Sequence, residues 1–132
     1  MVSHPTRAVI LAGVACLALA ATGCSPDKGL TDLSGTVTWR DAPVPAGVIT
    51  IEPDPSRDNR GPQAAAGIVN GRFKSRPNYG SVSGPVVIRV EGYTGKPEGE
   101  SIIGRPLFPP YVFEADIPKG RRHQLDIVVP AK

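Results

Sequence analysis

Gly67-Ile68-Val69-Asn70-Gly71-Arg72-Phe73 is the stretch that decides the fold. Asn-Gly between two short apolar runs is a strong hairpin signal, because a two-residue type I′ turn needs positive φ at both central positions. Around it the chain alternates with a period of two. Leu33, Gly35, Val37 and Trp39 fall on one face, and Ser34, Thr36, Thr38 and Arg40 on the other. Ile49 and Ile51 alternate with Val48, Thr50 and Glu52; Val86, Ile88 and Val90 alternate with Val87, Arg89 and Glu91. Leu125, Ile127 and Val129 alternate with Gln124, Asp126 and Val128. Such alternation marks half-buried strands.

Fifteen Pro and fifteen Gly punctuate the 132 residues, which breaks helices and supplies turns. Asp41-Ala42-Pro43 is expected to turn the first strand back toward Gly47, while 53–62 and 92–104 read as long polar loops. About seven short strands in ~100 residues predict an all-β domain, a single antiparallel β-sandwich. It is expected over 33–132, with Val37, Trp39, Ile49, Ile51, Val86, Ile88, Val90, Leu125, Ile127 and Val129 in one core.

The N-terminal segment has three physical parts. A short polar start carries Arg7; Ala8 to Ala20 is continuously apolar; Ala21, Thr22 and Gly23 are small and directly precede Cys24. The apolar run is shorter than the ~20 residues of a membrane span and has the length of a signal-peptide core. Gly23-Cys24 resembles the cleavage and lipidation site of a bacterial lipoprotein, with Ala21 standing where leucine is usual. That resemblance implies a cleaved signal peptide, 1–23, a lipid anchor on Cys24, and a flexible tether, 24–32, rich in polar residues and chain breakers. It also implies a cell-envelope address facing the periplasm. Ser25, rather than Asp, follows the cysteine, which favours the outer over the inner membrane.

A second resemblance covers the domain. Ser34 to Thr38, Pro43 to Ile49, the hairpin 67–73, and Gly80-Ser81-Val82-Ser83-Gly84-Pro85 followed by Val86 to Val90 occur in this order. Together with Pro109-Pro110-Tyr111 and the closing 124–129, they resemble transthyretin-like or carboxypeptidase regulatory-like β-sandwich domains, in the single-domain form found in bacterial lipoproteins. That family implies a structural or interaction module and no catalytic residue.

Candidate chemistry is sparse. Cleavage before Cys24 would remove Cys16, His4 and Arg7, leaving no thiol besides the anchor, one histidine, and fourteen basic against twelve acidic residues, a formal charge of +2. So small a charge argues against a nucleic-acid partner, which requires clustered cations. The strongest cluster, Lys119-Gly120-Arg121-Arg122, is expected as a solvated turn between strands. His123 shares the inward register of Leu125 and Ile127, as a structural residue. Ser81 and Ser83 do not fit a Gly-x-Ser-x-Gly nucleophile turn. Asp54, Ser56 and Asp58 have oxygen-ligand spacing, but Asn59 and Ala65 stand where an EF-hand loop needs Gly and Glu, so this loop too is expected to be solvated. No metal or cofactor is expected.

The seven aromatics all follow Cys24. Phe108, Tyr111 and Phe113 form the candidate apolar contact patch. The favoured function is therefore a non-enzymatic, lipid-anchored envelope protein acting as a structural or protein-interaction module with an unidentified envelope partner. A small-ligand or glycan-binding lipoprotein is the alternative, and a hydrolase stands third.

Overall fold

The computed structural model describes residues 29–131; the expected signal peptide, Cys24 and the tether as far as Lys28 lie outside them. Among the described residues there are eight strands and one 3-10 turn. The strands are β1 (Asp32–Trp39), β2 (Ala42–Pro43), β3 (Ala46–Pro53), β4 (Ala64–Val69), β5 (Arg72–Lys74), β6 (Gly84–Tyr93), β7 (Tyr111–Ile117) and β8 (Arg122–Val129). The domain is thus all-β, as the alternation predicts.

The Asn70-Gly71 turn joins β4 to β5 with φ of 49° and 75°, the positive pair that type I′ needs. The first strand turns one residue earlier than expected. Arg40 and Asp41 take positive φ, 51° and 60°, and Ala42 and Pro43 are already paired with Trp39 and Thr38.

All eight strands belong to one sheet, which curls into a half-barrel. β8 runs along one edge of β1; β5 and then β2 share its other edge; β4, β3, β6 and β7 follow in that order. Every pairing is antiparallel except one. β1 and β8 are parallel from Asp32↔Arg122 to Trp39↔Val129, because the chain meets its first strand again only after passing round the whole sheet. β4 and β5 are linked by only two residue pairs, whereas β3 and β6 share a ladder from Ala46↔Tyr93 to Pro53↔Val86.

The concave side is the core. Leu33, Val37, Ile49, Ile51, Ile68, Phe73, Val86, Ile88, Val90, Ile117, Ile127 and Val129 are buried there, with Trp39 and Leu125 partly buried against them. Burying each such aliphatic side chain is worth ~1.5–3 kcal/mol, which is how a domain with no disulfide among its described residues is held.

Two expectations about loops need correction. The tether does not extend to residue 32: Thr31 is buried and exchanges backbone hydrogen bonds with Ser81, at 2.8 and 2.9 Å, and Asp32 already opens β1. The 53–62 loop is not simply solvated. Asp54 is buried, and its carboxylate accepts from the Ser56 amide (3.0 Å), the Ser56 hydroxyl (2.6 Å) and Arg57 Nε (3.0 Å). Asn59 Nδ2 donates to the Pro85 carbonyl at 2.7 Å, tying the loop to β6. Short side chains that capture nearby backbone donors make such loops compact.

Candidate functional site

β7 and β8 are the two margins of the sheet, and no ladder joins them. The short link 118–121 holds them together at one end. At the other, where β7 begins and β8 stops, Phe108, Pro109, Pro110, Tyr111, Val129 and Pro130 line a groove of about 210 Å³. The sequence builds it simply. The two prolines cannot donate to a ladder and so stop β7 from extending, while Pro130 ends β8 in the same way.

The aromatic patch divides into two roles here. Phe108 is 8% exposed and belongs to the core rather than to a contact surface. Its ring lies where a side chain on Gly92 would stand, since a Cβ there would meet Phe108 Cζ at 2.6 Å. Trp39 packs against it with ring centroids 5.6 Å apart, and the Arg40 guanidinium covers the Trp39 ring at 4.3 Å. Tyr111 and Phe113 are half-buried on the inward register of β7 and stack at 5.0 Å. Stacked aromatic pairs on a strand margin give rigid apolar area with little side-chain entropy to lose on binding. Nearby, Trp39 Nε1 is buried and has no hydrogen-bond partner among the described residues.

Sequence reasoning overlooked a second exposed apolar element at this end of the sheet. Ile102 is 82% exposed and Ile103 is 38% exposed, on the loop that leaves β6 and leads to Phe108. Hydrogen bonds from Gly95 N to Ile103 O (2.8 Å) and from Thr94 N to Arg105 O (3.0 Å), with an Arg105–Glu98 ion pair at 2.9 Å, fold this loop back on itself. An Ile-Ile pair inside a run, 95–104, otherwise made of Gly, Pro, Glu, Lys and Ser was the available signal.

The remaining candidates are placed apart from the groove and from one another. His123 sits opposite Leu33 at the start of β8. Ser81 is fully buried, with its hydroxyl donating to the Val82 carbonyl at 2.8 Å. Asp126, exposed on β8, accepts from the Thr36 hydroxyl at 2.9 Å, which is the chief reason its pKa is lowered. Among the described residues no three His, Cys, Asp or Glu side chains come together as a metal-ligand set, and no helix is long and apolar enough to cross a membrane. A shallow trough of about 530 Å³ crosses the outer face between Thr36, Gly67, Arg72, Lys74 and Gln124; its one aromatic, Phe73, is buried.

Comparison of the chain with protein-family models, with curated proteins and with solved structures finds no match.

Proposed function

We propose that this chain is a lipid-anchored protein of a bacterial cell envelope, held through Cys24 with its domain facing the periplasm, and that the domain is a non-enzymatic protein-interaction module. The observation that carries the interaction reading is the groove where β7 begins and β8 ends, at the head of their two free edges, with Tyr111 in its lining and stacked on Phe113. Unpaired strand edges offer backbone donors and acceptors to an extended partner segment, and aromatic pockets beside them add selectivity. The anchor rests on the sequence of 8–24, and Ser25 favours the outer membrane.

The half-barrel is read here as a two-layer sandwich of the transthyretin-like or carboxypeptidase regulatory-like kind. The narrow β4–β5 junction supports this, since it divides the sheet into β8-β1-β5 with β2, and β4-β3-β6-β7. A small-ligand or glycan site is less well supported. The groove is below the ~300–1,000 Å³ of typical ligand pockets, and the outer trough offers a sugar no exposed ring.

Two measurements test the proposal. Cys24→Ser should leave the protein unprocessed or release it from the membrane fraction; a wild type found freely soluble in periplasmic extract would refute the anchor. A photo-crosslinking residue at Tyr111 or Pro130 should give a discrete adduct in cells, whereas one at Val87, on the outer face of β6, should not. Equal labelling from all three positions would refute the groove as the contact surface.

A further inference from the structure

The chain enters the domain between two loops that hold exposed cations. Thr31 Oγ1 donates to the Gly120 carbonyl at 2.7 Å, and Asp32 N donates to the Arg121 carbonyl at 2.8 Å. On the other side Thr31 pairs with Ser81, and Asn78 N donates to Asp32 Oδ1 at 3.0 Å. Leu30 lines a hollow with Pro62, Arg76, Tyr79 and Gly80. The first described residues are therefore seated between the 118–121 link and the 76–80 loop. Lys119, Arg121 and Arg122 on one side and Arg76 on the other are exposed, and none makes an ion pair among the described residues. Tyr79 is 52% exposed, with the Arg76 guanidinium over its ring at 4.7 Å.

From these placements, and resting on the lipid anchor proposed above, we infer that this end of the domain is a membrane-docking face for anionic phospholipid headgroups. Ser25 to Gly29 are the only residues between the anchor and Leu30. From Cys24 to Leu30 the chain takes six residue steps and spans at most ~22 Å however it runs, so the four cations stay within reach of the headgroup layer. Basic clusters beside a membrane anchor are attracted to anionic lipid within about a Debye length. An exposed tyrosine with an arginine over its ring suits the boundary between apolar and wet surroundings. The consequence is orientation. β1 rises ~23 Å from Asp32 to Trp39 at the usual rise per residue, so a domain seated on this face presents the Tyr111 groove away from the membrane.

The test uses the lipidated full chain in vesicles of phosphatidylcholine, with or without phosphatidylglycerol. Pro77→Cys places a fluorophore on the docking face, Ile102→Cys places one at the far end, and the quencher is a headgroup spin-labelled lipid. The expected result is quenching at residue 77 and not at 102, only with phosphatidylglycerol, and relieved by high salt. Replacing Lys119, Arg121 and Arg122 by Ser should shift the seated population toward the free one by roughly fivefold per cation removed. Flotation with the vesicles but equal quenching at the two positions, or quenching indifferent to phosphatidylglycerol, overturns the docking face and leaves the anchor standing. Wild-type protein that fails to float with either vesicle overturns both.

Discussion

Trp39, the last residue of β1, and Phe108, in the loop before β7, meet with ring centroids 5.6 Å apart at an interplanar angle of 48°. The contact joins the first strand to the opposite margin of the sheet, and it forms one wall of the core beneath the groove. Because Trp39 is the single tryptophan of the chain, the contact reports on itself.

Phe108→Ala is accordingly expected to cost ~3–5 kcal/mol, the range for truncating a buried aromatic, and to change the Trp39 emission spectrum under native conditions. Urea unfolding followed by tryptophan fluorescence measures both. A stability within a few tenths of the wild type, with unchanged emission, would place Phe108 outside the core.

A second expectation concerns the parallel pair. A Cβ on Gly35 would stand 1.6 Å from the Leu125 carbonyl oxygen, whereas one on Gly67 meets nothing within 4 Å. Backbone cannot move aside as a flexible side chain can, so Gly35→Ala should cost at least ~1–3 kcal/mol by overpacking. Gly67→Ala should instead be neutral, or stabilising by ~0.4–1 kcal/mol through the unfolded chain. Denaturant midpoints of the two variants against the wild type decide it, and equal midpoints would mean that β1 and β8 are not packed at this distance.

What was legible in the sequence follows from the range of the forces involved. Strands such as 86–90 and 125–129 were readable because one face is buried, and burial imposes a period of two on neighbouring residues. Asn70-Gly71 was readable because positive φ is a local demand that few residues meet. The β1–β8 pairing was not, because Gly35 and Leu125 are distant in the chain and parallel pairing leaves no local pattern. Phe108, among prolines, could be read from the sequence either as a contact aromatic or as simple packing; the hollow left by Gly92 shows that it is core. Asp54 looked solvated because its donors, Ser56 and Arg57, are also good loop residues. The groove was half visible: its aromatics could be named, but not the meeting of 108–111 with Val129 and Pro130. Ile102 was missed because its loop was read by its dominant polar composition.

Asp54 supplies the last prediction, a dependence on acid. The Ser56 hydroxyl and then the Arg57 guanidinium hold the Asp54 carboxyl below its usual range, and hydrogen bonds from the Thr36 hydroxyl and Gln124 do the same for Asp126. A carboxylate whose folded pKa is depressed binds its proton more readily in the unfolded chain. Its contribution is therefore fully present above the unfolded value of ~3.9 and is lost as the pH falls through the lower folded value. Wild-type stability should accordingly decline as the pH is taken below ~4. Asp54→Asn keeps the shape of the side chain but cannot titrate; it should be less stable than the wild type at neutral pH and should lose less on acidification. Thermal midpoints from neutral pH down into acid measure the difference. Parallel curves for the two proteins would mean that Asp54 is not charged against Ser56 and Arg57, and that the 53–62 loop is held by its backbone bonds and the Asn59 side chain.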